Sequence, residues 1–278
     1  LHLQGFDASY WNIQGPGVPE DQYSYVYAAA EQGISTFRYD RLGTGDSEKP
    51  IDGVNVVQGQ TEVGILLSFL NSIKNSDVIG GQKWNKTLLV GHSYGSAQSN
   101  AASLSRPDLI DGLILTGFTT FQEGLGYYVL SANYEQASLI FPERLANATS
   151  NYLVTATPYS AQINFNVPAY VTNDAVALVR STEQPVTQGA FFTLGSLVGP
   201  SNFTGPVQVL TSDNDFVFTF RSSNATNIVA ETATSLYPQS KNATFYVPKG
   251  PGHGLNYHVQ APQIYQEMLS FASANDLA

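Results

Sequence analysis

Ser93 stands between two glycines, in Gly91-His92-Ser93-Tyr94-Gly95, and the chain supplies both partners that a nucleophilic hydroxyl needs. An unassisted serine hydroxyl is a poor nucleophile at neutral pH. A histidine at hydrogen-bond distance can take its proton, and a carboxylate behind the histidine fixes the ring tautomer and stabilises the imidazolium. Only four histidines are present, and His253 lies in the loop-forming run Pro248-Lys249-Gly250-Pro251-Gly252-His253-Gly254. Two aspartates, Asp213 and Asp215, fall in Thr211-Ser212-Asp213-Asn214-Asp215-Phe216-Val217. Acyl transfer through serine, histidine and an acid is the chemistry this set can perform, provided that the fold brings the three together.

The elements around these residues are the ones that would do so. Thr87 to Val90 is β-branched and aliphatic enough for a buried strand, and Ser96, Ala97, Ser99, Ala101, Ala102 and Ser103 read as a helix of small residues. Gly91 and Gly95 then permit a sharp strand-to-helix turn in which side chains would collide with the neighbouring strand and helix. Such a turn lifts the hydroxyl above the sheet at a helix N-terminus, where backbone N–H groups face developing negative charge. Pro206 to Leu210 reads as a strand running into the two aspartates, and Ala243 to Val247 as a strand running into the His253 loop. Serine, acid and histidine are therefore expected on three loops at one sheet edge.

The rest of the chain supports a parallel sheet. Leu1-His2-Leu3 looks like the end of a strand, followed by a helix over Tyr23 to Gln32 with Gly33 as its C-cap. Ile34 to Asp40 reads as the next strand. Thr61 to Ile73 has apolar residues at 63, 66, 67, 70 and 73, the spacing of one helix face. Gly112 to Gly117 is another buried strand, and helices are expected over roughly 222–236 and from Pro262 to Ala274. This alternation implies an α/β fold with a mostly parallel sheet covered by helices on both faces. It breaks between Phe118 and Phe203, a stretch rich in Tyr, Phe, Asn and Thr with only seven charged residues. Helices and loops are expected there, inserted at the carboxyl ends of the strands, where ligands bind in open α/β sheets.

Composition sets limits. The 278 residues carry a net charge of −10, which argues against nucleic acid and anionic membrane surfaces as partners. No run approaches the roughly 20 apolar residues of a membrane span. The absence of cysteine excludes disulfides, thiolate catalysis and thiolate metal sites. Four histidines without H-x-x-x-H or H-E-x-x-H give no metal cluster, and no phosphate-cradling glycine loop is present, so neither a metal nor another cofactor is expected. Five N-x-[S/T] sequons, at Asn85, Asn147, Asn202, Asn224 and Asn242, stand against roughly three expected by chance. With the acidic composition and few lysines, they favour a secreted protein.

Taken together, these motifs resemble the α/β-hydrolase-fold superfamily, in its lidded esterase, lipase and epoxide-hydrolase type. Four separate matches carry the resemblance. They are Gly91-His92-Ser93-Tyr94-Gly95, Tyr39-Asp40-Arg41-Leu42-Gly43-Thr44-Gly45-Asp46-Ser47, Asp215 after its strand, and Gly252-His253. The resemblance implies Ser93 as nucleophile, His253 as base and then acid, and Asp215, standing before Phe216-Val217-Phe218, as the acid that orients it. Asp213 would be an ordinary loop aspartate. Asp40 and Arg41 would pin the loop under the oxyanion site, whose donors would be the Phe6 and Tyr94 N–H groups. His92, between Gly91 and Ser93, is expected to point away from the site, with His258 just beyond the turn and His2 in the first strand. Residues 1–117 and 204–278 would form the core, and 118–203 a mainly helical lid inserted after the sixth family strand.

Two departures stand out. The family usually has His-Gly where this chain has Gln4-Gly5, and it starts with two more strands and roughly 50 residues upstream of this point. The second departure leads us to expect a natural precursor with an N-terminal extension and a secretion signal. The activity so implied is hydrolysis of an ester or lactone of an apolar or aromatic small molecule. A serine in the nucleophile position, where dehalogenases and epoxide hydrolases carry aspartate, disfavours those chemistries. A lyase or cofactor-free haloperoxidase-like activity on the same three residues, and a ligand-binding receptor role, are the rival readings. A lyase would be expected to place a lysine near the site, and Lys249 is the one close in sequence to His253.

Overall fold

The computed structural model describes residues 1–278. Its first half supplies helices α1 (Tyr25–Glu31), α2 (Gly59–Asn75) and α3 (Tyr94–Ser105), with strands β1 (Leu88–His92) and β2 (Gly112–Thr116) on either side of α3. Between β2 and the next parallel strand lie α4 (Glu123–Ala132), β3 (Tyr134–Gln136), α5 (Ala137–Ile140), α6 (Pro142–Leu145), β4 (Tyr152–Thr155), α7 (Pro158–Phe165), α8 (Asn173–Ser181), β5 (Val186–Thr187) and α9 (Gln188–Thr193). The chain ends with β6 (Val207–Leu210), α10 (Ala225–Leu236), β7 (Ala243–Tyr246) and α11 (Ala261–Ala274).

The central sheet has the order β1-β2-β6-β7, and every pairing in it is parallel. Register runs Leu88 opposite Gly112, Leu113 opposite Val207 and Val207 opposite Ala243. All four strands therefore point their carboxyl ends to one edge. Leu113, Ile114, Leu115, Val207, Val209 and Leu210 are fully buried, as expected of strands covered on both faces. Each such aliphatic side chain contributes about 1.5–3 kcal/mol relative to leaving it in water. Helix α3 is buried from Tyr94 to Ser103, and its small side chains let its backbone lie close on the sheet. Val63, Leu66 and Leu70 form the buried stripe of α2, and Ile264, Tyr265, Met268, Leu269 and Ala272 that of α11. One cluster of 48 buried residues joins these faces. No helix is long and apolar enough to cross a membrane.

Two segments read as strands take a different form. Leu1 runs beside β1, its amino group donating to Val90 O at 2.7 Å and its carbonyl accepting from His92 N at 3.0 Å, but no ladder extends along Leu1-His2-Leu3. Ile34 to Asp40 is not a strand. Its apolar spacing suits an extended chain, yet residues 35–39 make no backbone hydrogen bond to another segment. Side chains hold it instead: Phe37 and Tyr39 pack on Phe69, and Arg38 Nη1 donates to Ala8 O at 2.9 Å. A strand needs a partner with free backbone groups, and alternation alone does not provide one.

The segment between β2 and β6 was expected to hold mainly helices and loops. It also holds a three-stranded antiparallel sheet, β3-β4-β5. With strands of two to four residues, it offers too little alternation to be read from sequence. The segment has its own small core of Ala137, Leu145, Tyr152 and Val154. Inside it, buried Glu183 accepts from the Thr155 N–H at 2.8 Å and pairs with Arg180. Threonine hydroxyls cap three of its helices, Thr157 accepting from Ser160 N, Thr172 from Ala175 N and Thr187 from Ala190 N.

Candidate active site

The turn after β1 shows why two glycines are needed. A Cβ on Gly91 would lie 2.5 Å from Gly95 O, and one on Gly95 would lie 2.5 Å from Leu1 O. Between them Ser93 adopts φ 55° and ψ −116°, a conformation that costs on the order of 1–3 kcal/mol and persists only where the surroundings enforce it. Here they do. The Ser93 N–H donates to Thr116 O at 2.8 Å, at the end of β2, while its carbonyl accepts from Ser96 N and Ala97 N in the first turn of α3. The half-buried side chain of Ser93 thus stands at the N-terminus of a twelve-residue helix.

Asp215 follows β6 and has no exposed surface. One carboxylate oxygen accepts from the N–H groups of Val217 and Phe218, at 2.8 and 2.9 Å. The other accepts from the Thr211 hydroxyl at 2.6 Å and meets His253 Nδ1 at 2.8 Å. Burial pushes this carboxyl upward, but His253, Thr211 and the Phe218 N–H outweigh it, and the group lies below its ordinary value. An ionised Asp215 can only accept, so the proton of the contact is carried by His253 Nδ1. Asp213 is half-buried and plays a different part. Its Oδ1 accepts from Gly250 N at 3.0 Å, bracing the loop that carries His253.

His253 itself is buried among rings. Phe165 of α7 stacks on it at 5.8 Å, Phe218 lies at 5.6 Å and His92 at 5.0 Å. The expectation that His92 points away from the site is thus overturned. Its ring packs against His253, its Nδ1 lies 2.8 Å from Thr116 Oγ1, and burial holds its pKa well below the ordinary imidazole value.

His258 is the residue that sequence reasoning passed over. Its Nδ1 donates to Gly254 O at 2.8 Å, and its Nε2 accepts from Gly252 N at 2.9 Å and Val167 N at 3.2 Å. One neutral ring therefore clasps both sides of His253 and ties that loop to the segment beyond α7. Burial lowers its pKa to about 4, the state required for Nε2 to accept two N–H groups. The available signal was its spacing, a second histidine just past a glycine-rich turn.

Phe6 and Tyr94 also come to this edge. Neither backbone N–H donates to another group of the chain. The Phe6 segment turns at Gly5, whose φ of +82° favours glycine. Gly5 O accepts from Gln184 N at 2.9 Å, and Ala8 N donates to Asp40 Oδ1 at 2.8 Å. Arg41 Nη2 reaches Leu3 O at 3.1 Å. Gln4, where the resemblance expects histidine, is buried with its Nε2 unpartnered. No group of three or more His, Cys, Asp and Glu side chains converges in a way that could hold a metal ion.

With this geometry in view, comparison with known proteins places the chain. The model of the family described as alpha/beta hydrolase fold matches residues 14–256. The chain belongs to that family. Solved structures agree on the architecture. A methylesterase from Arabidopsis is 17% identical with a TM-score of 0.63, covering 98% of this chain and 97% of its own. Tomato methylketone synthase I, complexed with 2-tridecanone, is 14% identical with a TM-score of 0.67, covering 99% and 96%. A monoacylglycerol lipase from Paleococcus ferrophilus is 14% identical with a TM-score of 0.63, covering 99% and 93%. At these identities the likeness is one of fold.

Two outcomes follow from the geometry of this hydrolase-fold site. Asp215→Asn loses the charge that accepts from His253 Nδ1, and kcat for ester hydrolysis should fall by about 10³-fold or more. Asp213→Asn keeps an Oδ1 acceptor for Gly250 N and should cost less than about tenfold; parallel kinetics of the two variants check the ranking. His258 sets a pH dependence. Its folded pKa lies below the unfolded one, so its contribution to stability is complete above 6.5 and is lost as pH falls toward about 4. That amounts to about 3 kcal/mol across the window, and His258→Gln should flatten the stability profile measured by denaturant unfolding there.

Proposed function

We propose that this protein is a serine hydrolase that cleaves an ester or lactone bond in an apolar or aromatic small molecule. The observation that carries the reading is the buried Asp215–His253 hydrogen bond, at the same sheet edge as the strained turn of Ser93. Neighbours named as a methylesterase and a lipase support hydrolysis on this fold. Lys249, the lysine closest in sequence to His253, is exposed, which weighs against a lyase.

In this reading Ser93 Oγ attacks the carbonyl carbon while His253 Nε2 takes the hydroxyl proton. The carbonyl π electrons move onto oxygen, and the Phe6 and Tyr94 N–H groups receive the oxyanion. As it collapses, the bond to the leaving oxygen breaks, and that oxygen takes the proton from His253. Water, giving a proton to the same Nε2, then attacks the acyl carbon. The second collapse releases the acid and returns the proton to Ser93. For a lactone the product is the open hydroxy acid.

The segment over residues 118–203 is proposed as the lid. Gly254 N donates to Phe165 O, and Gln184 N to Gly5 O, both at 2.9 Å, so it meets both the His253 loop and the Phe6 turn. Phe6, Phe165, Phe218 and Tyr257 make the surroundings apolar, which supports an apolar or aromatic substrate. A cavity of about 20 Å³ lies beside Phe6, Phe165 and Tyr257.

We also infer that the protein is secreted and N-glycosylated. All five sequon asparagines are exposed. Asn85, Asn202 and Asn242 precede the amino ends of β1, β6 and β7, the edge opposite Ser93 and His253, so glycans there would leave the site clear. Treating the natural protein with an amide-cleaving N-glycosidase should lower its mass, and an unchanged mass would contradict this.

The hydrolase reading is tested with a panel of chromogenic esters and lactones. The wild type should turn over apolar acyl or aryl esters, and Ser93→Ala should lower kcat by about 10³-fold or more with the fold intact. Undiminished turnover in that variant would remove Ser93 from its role.

A further inference from the structure

The Phe6 and Tyr94 N–H groups belong to separate stretches of chain, and one buried ion pair ties those stretches together. Glu62, in the first turn of α2, is 1% exposed. Its Oε1 accepts from Arg41 Nη1 at 2.8 Å, and its Oε2 accepts from the Tyr94 hydroxyl at 2.6 Å and from Gln98 Nε2 at 3.0 Å. Arg41 lies over the Tyr94 ring, its Cζ 4.7 Å from the centroid. The same guanidinium sends Nη2 to Leu3 O at 3.1 Å, and the Arg41 backbone N–H meets His2 Nε2 at 3.1 Å. Through Glu62 and Arg41, the side chain of the residue after Ser93 is thus fixed to the short segment that leads into Gln4, Gly5 and Phe6.

Stability alone does not call for this arrangement. Burial raises the Glu62 carboxyl against the pull of Arg41 and the Tyr94 hydroxyl. Pairs of this kind, replaced by well-packed apolar side chains, often leave a protein as stable or more so. What an apolar cluster would not supply is direction. Here the two carboxylate oxygens engage different partners and the guanidinium reaches two acceptors with different nitrogens, and charge-assisted bonds of this kind add geometric accuracy as well as energy. An oxyanion site demands that accuracy, because its donors must lie about 2.7–3.1 Å from where the charge develops.

We propose that Glu62 and Arg41 are positioning residues for the oxyanion site, holding the Tyr94 and Phe6 N–H groups at the separation a tetrahedral oxyanion needs. The proposal rests on the serine-hydrolase reading. Neither residue touches the reacting atoms. Glu62 acts through the Tyr94 side chain, and Arg41 through that ring and the Leu3 carbonyl. From the opposite side, Gln184 holds Gly5, so the Phe6 segment is fixed at both ends of its turn.

The test compares wild type, Glu62→Gln, Tyr94→Phe and the double variant. For each, kcat and KM are measured on one chromogenic ester, and kcat is normalised to sites titrated with a fluorophosphonate. Alongside, the inhibition constant of an aryl boronic acid, which forms a tetrahedral adduct on serine, is determined together with Tm. Glu62→Gln should lower kcat per titrated site by about tenfold or more and weaken the boronic acid by a similar factor, with KM within about twofold. Tyr94→Phe should act in the same direction, and the double variant should lose less than the product of the two single losses. If Glu62→Gln does not fold, Tyr94→Phe carries the same comparison alone. A fall in Tm with kcat per site and boronic acid affinity unchanged would make the pair purely structural and overturn the proposal, as would a change confined to KM. A wild type that neither hydrolyses any ester nor reacts with the fluorophosphonate removes the hydrolase reading, and this proposal with it.

Discussion

A carboxylate with no exposed surface must find donors for both oxygens or lose its charge, and Asp215 finds four. Two are backbone N–H groups of the turn that follows it, one is a threonine hydroxyl at the end of β6, and one is His253. Each fixes something else. The N–H pair shapes the turn, the threonine anchors it to the strand, and the histidine contact brings the loop after β7 to the loop after β6. Because β1, β2, β6 and β7 are parallel, those loops lie at the same edge as the turn holding Ser93. On the proposed reading the chemistry depends on this charge staying where it is, and burial with full hydrogen bonding is what keeps it there.

Neutral imidazole is used elsewhere in the fold as a construction material. His258 clasps Gly252 and Gly254, His92 packs against His253, and His2 accepts the Arg41 N–H. Burial depresses the pKa of all three. His2 and His258 each donate at Nδ1 and accept at Nε2 with no charge, while His92 has a polar partner only at Nδ1. A protonated ring could not accept at either nitrogen. The family fold is therefore completed here by polar contacts that need these rings unprotonated and are lost on acidification, in addition to apolar packing.

Much of this was legible in the sequence, for a physical reason. Buried parallel strands such as Leu113 to Leu115 and Val207 to Leu210 are continuous apolar runs. The glycines at 91 and 95 mark a place where backbones touch, and the structure puts Gly95 O and Leu1 O where Cβ atoms would be. Asp215 could be preferred over Asp213 only by resemblance. The structure sends Asp215 to His253 and Asp213 to Gly250, a difference of loop geometry that composition does not encode. Ile34 to Asp40 misled because apolar alternation reports an extended chain and not a partner. The β3-β4-β5 sheet was missed because its strands are too short to carry a period. His92 misled because sequence does not say which way the last residue of a strand faces when a strained turn follows it. Glu62 had no visible signal beyond lying at the start of an amphipathic helix, since its partners come from residues 41, 94 and 98.

The proposed chemistry turns on Ser93 being a nucleophile that His253 activates. Covalent labelling with a fluorophosphonate, followed by proteolysis and mass spectrometry of the modified peptide, measures this without needing the natural substrate. One adduct per chain is expected, on Ser93, formed at a rate that drops steeply in His253→Ala while the variant keeps its fold. A label on another residue, or labelling of Ser93 at the same rate without His253, would contradict it.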